Sequence, residues 1–257
     1  MPAISRAGMT AEEVKSFNSY KSLADGGNVV AQFNLARCFY RGLGVEKDAE
    51  KAASWYLKAA NKGYPYAQYN LGSLYLTGEG VPKDDLQAVS WFRKAAEQGF
   101  ADAQHNLGFL YGIGQGVEKD DAQAISWFRK AADQGLAHSQ SILGHCYSIG
   151  RFVAKDHDQA FFWLLKAAEQ GDAGAQTNLG LCYIKGLGVQ KNEVEAYAYW
   201  KLAGNSDPEA RRNLSIFKER SPANQIAAGE KRAVEILKSI EAKIAAKQAE
   251  ADRKASK

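Results

Sequence analysis

The stretch AQYNLGSLYLTGEGVPKDDLQAVSWFRKAAEQGFAD, residues 67–102, decides the fold. Ala67, Leu71, Leu74 and Tyr75 lie three and four apart, the spacing of one helix face. Gly78 follows the last of them, where a helix end needs a left-handed backbone, and Gly80 keeps the loop tight. Asp84 with Gln87 three residues on has the spacing of a capping box and opens a second helix. Ala88, Trp91, Phe92 and Ala95 form its apolar stripe, and Gly99 ends it. The stretch predicts an antiparallel pair, helix A then helix B.

The same 36-residue pattern runs five times without a gap, from Ala31, Ala67, Ala103, Ser139 and Ala175. Gly42, Gly78, Gly114, Gly150 and Gly186 share one column, and Ala59, Ala95, Ala131, Ala167 and Ala203 another. Asp48/Lys51, Asp120/Gln123, Asp156/Gln159 and Asn192/Glu195 repeat the capping pair, although Lys51 lacks the acceptor a full box needs. A period of this length means a solenoid, in which each unit buries its apolar face only against its neighbours. Alanine columns mark close helix approach. The column Trp55, Trp91, Trp127, Trp163 and Tyr199 is expected to fill the space between pairs. Each such ring contributes on the order of 2–3 kcal/mol when buried.

The pattern A-x-x-N-L-G-x-x-Y-x-x-G-x-G-V-x-x-D-x-x-x-A-x-x-W-x-x-K-A-A-x-x-G resembles the Sel-1-like repeat, a relative of the tetratricopeptide repeat, over residues 31–209. The resemblance implies an all-α, right-handed superhelical solenoid of helix pairs. It also implies A helices along the concave wall and use in protein–protein contacts. Departures are Phe152 for the loop's second glycine in unit four, and Ile142 for the asparagine found at Asn34, Asn70, Asn106 and Asn178. Unit five is one residue short near Ser206, and Trp200 sits one position late. Around the repeats, 1–10 are expected to be disordered and 11–30 to form a capping helix, with Ser19 in the tryptophan column. Residues 210–244 read as a half-repeat and a capping helix, and 245–257 as a basic flexible tail. The last helix is expected to start with Ser221 as N-cap and Pro222 at its first position. Its apolar stripe is read as Ile226, Val234, Leu237, Ile240 and Ile244.

Composition is that of a soluble folded protein, 46% hydrophobic and 24% charged. The net charge of +4 concentrates in 211–257, with 12 Lys/Arg against 6 Asp/Glu. A solvated helix face explains that tail more simply than a nucleic-acid site, so no nucleic-acid partner is expected. No apolar run approaches the ~18 residues of a membrane span. The opening MPAISRAGMTAEEV lacks an apolar signal core, which predicts a cytoplasmic protein if Met1 is the start, and a periplasmic or secreted one if a leader is missing. Cys38, Cys146 and Cys182 share the column that holds Leu74 and Leu110 elsewhere, and read as buried reduced thiols.

Signs of catalysis are weak. The G-x-G-V loops follow helices rather than strands, and no phosphate-loop motif occurs. Asp84-Asp85, Asp120-Asp121 and Asp156-His157-Asp158 lack calcium-loop spacing and read as helix caps. His105, His138, His145 and His157 show no metal-like spacing, although His105 and His145 fall on neighbouring A helices. A cysteine-rich secreted branch of the resembled family is associated with β-lactam binding or cleavage, and Ser215-Ile216-Phe217-Lys218 fits S-x-x-K. With 16 Ser and 22 Lys, about one such match arises by chance, and the accompanying S-D-N and K-T-G elements are absent. No catalytic residue, metal or cofactor is expected.

The variable columns of helix A carry more information. The third reads Phe33, Tyr69, His105, Ser141 and Thr177, and the seventh Arg37, Ser73, Phe109, His145 and Leu181. The tenth and eleventh include Tyr40, Arg41, Leu76, Ile113, Ile149 and Lys185. By similarity to tetratricopeptide proteins this is the ligand-facing wall. Asn34, Asn70, Asn106 and Asn178 flank it and either bond a peptide backbone or brace helices. The eleven-residue A segments hold no Asp or Glu, so the expected partner is a protein or peptide with apolar anchors and a carboxylate or acidic group. The leading reading is a non-enzymatic interaction scaffold. The alternatives are a protein acting on β-lactam or cell-wall compounds and a secreted or envelope-associated interaction module.

Overall fold

The computed structural model describes residues 9–255; the expected N-terminal segment 1–10 lies, up to residue 8, outside the described residues. Helix α1 (Ala11–Asp25) precedes five helix pairs: α2 (Val29–Arg41) with α3 (Ala49–Asn61), α4 (Pro65–Thr77) with α5 (Asp85–Glu97), α6 (Ala101–Ile113) with α7 (Asp121–Asp133), α8 (Ala137–Ile149) with α9 (His157–Ala168), and α10 (Ala173–Lys185) with α11 (Glu193–Ala203). Helices α12 (Pro208–Arg220) and α13 (Ala223–Ala255) follow, and the described residues contain no strand. The fold is an all-α solenoid of helix pairs. It forms two compact units, Met1–Trp127 and Phe128–Lys257, which divide within α7.

Every A helix of the five pairs ends on a left-handed glycine, with φ 74° at Gly42, 76° at Gly78, 72° at Gly114, 73° at Gly150 and 69° at Gly186. Each B helix opens on an acceptor: Asp48, Asp84, Asp120, Asp156 and Asn192 take the N–H three residues on. The reciprocal half of the predicted capping box is replaced. The N–H of each cap residue instead donates to a carbonyl of the preceding A helix, at Phe39, Tyr75, Tyr111, Tyr147 and Tyr183. The glycine loop folds back so that this carbonyl takes the place of the third-position side chain as acceptor. The full reciprocal box occurs at Thr10/Glu13 of α1.

Three further positions differ from the sequence reading. The A helices begin two residues before the alanine column, which brings Asp102 into α6 and gives that face one acidic residue. Helix α13 starts at Ala223, because the Pro222 carbonyl accepts from Ile226 N–H at 3.2 Å and makes Pro222 the cap rather than the first helical residue. Trp200 is not a displaced member of the tryptophan column. It fills the next column with Tyr56, Phe92, Phe128 and Leu164, and its indole N–H donates to Thr177 O at 3.1 Å.

That column is the floor of each pair. Tyr56, Phe92 and Leu164 are fully buried, and Gly72, Gly144 and Gly180 on the facing A helices leave room for Phe92, Leu164 and Trp200. The tryptophan column lies shallower, with Lys58 and Lys94 ammonium groups 3.6 Å and 3.8 Å from the ring centroids of Trp55 and Trp91. A buried glutamine column joins consecutive pairs. Gln32, Gln68, Gln104, Gln140 and Gln176 donate to the carbonyls of Ala24, Ala60, Ala96, Ala132 and Ala168, at 2.9–3.3 Å. Each thereby adds a second bond to an end carbonyl of the preceding helix, which also accepts the glycine N–H three residues on.

Candidate functional site

The variable A-helix columns separate by depth. Columns seven and eleven lie four apart on each helix and form its open row. On α6 this row is Phe109 and Ile113, 51% and 45% exposed. On α8 it is His145 and Ile149, both exposed. On α2 it is Arg37 and Arg41, on α4 Ser73 and Thr77, and on α10 Leu181 and Lys185, each with its second member exposed.

Column three is spent largely on joining one pair to the next. Phe33 packs against Tyr64 at 5.2 Å and Tyr56 at 5.8 Å, and Tyr69 against Phe100 at 5.2 Å and Phe92 at 5.7 Å. Burial pushes the Tyr69 hydroxyl up from its usual range. Ser141 donates to Asp172, and Thr177, 2% exposed, donates to Asp207 and to the Ala173 carbonyl. Thr177 is therefore closed off from the face, while His105 is half-buried. Tyr40 is also committed: its hydroxyl donates to Glu79, which Lys47 holds at 2.9 Å. Leu76 of the same column is half-buried against the core that includes Phe92.

Two of the four asparagines brace their own helices. Asn70 Nδ2 donates to Tyr66 O at 2.7 Å and Asn178 Nδ2 to Gly174 O at 3.0 Å, which leaves the amide oxygens as the atoms for a ligand N–H. Asn106 hydrogen-bonds Tyr69. Asn34 and Arg37 line a cavity of about 330 Å³ between α1 and α2, together with Glu12, Glu13, Tyr20 and Leu43. The Arg37 guanidinium also lies 5.8 Å from the Phe33 ring centroid.

One feature of this face escaped sequence reading. Tyr64, Tyr66 and Phe100 join Phe33 and Tyr69 in a chain of rings, with Tyr66 4.8 Å from Phe100 and 48% exposed. The signal lies in the N-cap column. Asn28, Asp172 and Asp207 cap their helices there, whereas Tyr64, Phe100 and Leu136 make no side-chain cap bond. An uncapped end forgoes about 1 kcal/mol.

The remaining chemical motifs have structural partners. Ser215 donates to Glu219, and the Lys218 ammonium lies 5.9 Å from the Tyr197 ring centroid. Cys38, Cys146 and Cys182 are free thiols, and burial pushes all three up, Cys182 to about 11. Among the described residues no three His, Cys, Asp or Glu side chains gather as metal ligands, and no helix is long and apolar enough to cross a membrane.

Comparison with known proteins agrees with this architecture. The Sel1 repeat model matches residues 29–64, 65–100, 101–136, 137–172 and 173–208. A Sel1 repeat protein from Oxalobacter formigenes is similar in structure with a TM-score of 0.74 and 33% identity, over 86% of this chain and 96% of that one. The protective antigen c5321 of uropathogenic Escherichia coli, described as displaying an SLR fold, is similar with a TM-score of 0.59 and 30% identity. That match covers 93% of this chain and 59% of the antigen. A search of curated proteins gave no match. Sel1 repeats generally serve as scaffolds for protein interaction. On its five successive repeats, the chain belongs to the Sel1 repeat family.

Proposed function

We propose that the chain is a non-enzymatic, cytoplasmic interaction module that binds segments of partner proteins along its A-helix face. The observation that carries this reading is the open row at columns seven and eleven. Phe109 and Ile113 stand one turn apart and exposed, although stacking of the pairs makes no use of them. Exposed apolar side chains suit a segment with apolar anchors, and Arg37, Arg41 and Lys185 in the same columns of α2 and α10 suit an acidic group. Buried reduced thiols suit a reducing compartment.

The test is affinity capture from native lysate with the full chain as bait. Phe109→Ala with Ile113→Ala is expected to lose the captured partner, since aromatic anchors each contribute about 2 kcal/mol or more. Leu86→Ser with Asp121→Ala, on exposed B-helix positions, is expected to keep it. The opposite outcome places the working surface on the B helices.

A further inference from the structure

The A-helix face has a built end in the second unit. Because unit five is one residue short, Asn213, Ile216 and Arg220 of α12 are the counterparts of Asn178, Leu181 and Lys185. A cavity of about 410 Å³ opens beside them. Its floor is Trp200 and Phe217, both buried, with Ile184 on one side and the 42% exposed Ile216 on the other. The chain at Pro222 and Gln225, where α13 begins, closes the far wall. Asn213 and Arg220 are polar residues of its lining. Asn213 Nδ2 is shielded from solvent and has no hydrogen-bond partner, whereas Asn70 and Asn178 spend theirs on the preceding helical turn. Arg220 is exposed at the mouth. The acid in the lining, Glu193, is held by Lys191 at 3.0 Å and by Gln225 Nε2 at 2.6 Å, and both keep its carboxyl below the usual range. The guanidinium is thus the charge left to meet a ligand.

We propose that this cavity is a terminal anchor pocket. It takes one aromatic side chain of a bound protein segment, with Arg220 at the mouth meeting an adjacent carboxylate. An aromatic floor with a cation at the mouth of a cavity of this size is an ordinary form of small binding pocket. The proposal rests on the A-helix face being the interaction surface.

The test uses the ¹⁵N-labelled full chain with indole-3-acetate, and its neutral analogue indole-3-acetamide, as probes up to about 10 mM, a range suited to ligands this small. Saturable shifts of the Trp200 indole N–H and the Asn213 side-chain amide are expected with both. Arg220→Gln should weaken the acid about tenfold, as for loss of a bond to a charged group, and leave the amide unchanged. Ile216→Asp, at an exposed position, should abolish both while leaving helicity intact. No saturable shift at either group, or acid binding indifferent to Arg220→Gln, overturns the pocket. Capture separates this from the broader reading. A partner lost by the Phe109/Ile113 variant but kept by Ile216→Asp, with no probe shift, sinks the pocket and leaves the face standing. A partner kept by the Phe109/Ile113 variant and lost by the B-helix variant sinks the face, whatever the probes do.

Discussion

Tyr69 and Phe109 occupy variable columns of adjacent A helices and do different physical work. Tyr69 is held between Phe92 and Phe100, and Phe109 stands 51% exposed. Tyr69→Ala should therefore cost roughly 2 kcal/mol of stability, because it opens a gap between two pairs. Phe109→Ala should stay within about 0.5 kcal/mol of the parent. Urea titration of the two variants checks this, and equal losses would mean the columns do not differ in depth. Variability between repeats showed that both residues lie outside the constant core. It could not show depth, since a ring in column three packs on a residue that belongs to the next repeat. The cysteines were legible, because a small side chain in a leucine column has an apolar environment whichever helix faces it. Thiol labelling at pH 8 should be slow at Cys38, Cys146 and Cys182 and complete after denaturation. Fast labelling of the native protein at any of the three would contradict the burial.

Helix ends were half legible. An acceptor before an apolar run predicted each B-helix start, and Asp84→Ala should cost about 1 kcal/mol in thermal unfolding because Gln87 N–H loses its acceptor. The destination of the cap residue's own N–H was not legible, because it depends on how tightly the glycine loop folds back. The glutamine column was missed for a related reason. Gln68 follows Ala67 in sequence and reads as a surface residue until the Ala60 carbonyl eight residues back is placed beside it. Glu79 gives the element scale a pH prediction. Hydrogen bonds from Lys47 and Tyr40 hold its carboxyl below the usual range. A depressed folded-state value means this stabilisation is present above about pH 4.5, the ordinary glutamate range, and is lost as pH falls through the folded value. Glu79→Gln should therefore lower the melting temperature at pH 7 and flatten its decline on acidification. A parallel decline in both proteins would show that the clamp contributes nothing.

At the scale of the whole molecule, the 36-residue period was sufficient for the architecture, because each unit's apolar face has no other place to be buried. The last helix was read less well. Its buried side is Gly229, Ala233, Ile236 and Ile240, while Val234, Leu237 and Ile244 of the expected stripe are 53%, 44% and 50% exposed. Close approach to α11 selects the face that carries Gly229 and Ala233, and Ile236 and Ile240 lie on that same face. Gly229 lies against the Tyr197 ring, where any side chain would overlap it. Helix α13 also returns polar contacts to α11, with Arg232 Nε 2.6 Å from Glu195 and the Tyr197 hydroxyl 2.9 Å from Glu230. Ile236 and Ile240 each contribute roughly 1.5–3 kcal/mol by burial. Deleting 221–257 should thus lower the melting temperature and promote aggregation, since the apolar side of α11 loses its cover. Deleting only 245–257 removes helix whose described side chains are exposed, together with a long Lys247–Gln170 contact at 3.4 Å. That shorter truncation should melt within about 0.5 kcal/mol of the parent. Calorimetry with light scattering on both distinguishes a cap that ends near Ile240 from one that needs the whole helix. Equal destabilisation by the two deletions would assign the capping work to the exposed end, and no change in either would remove it from α13 altogether.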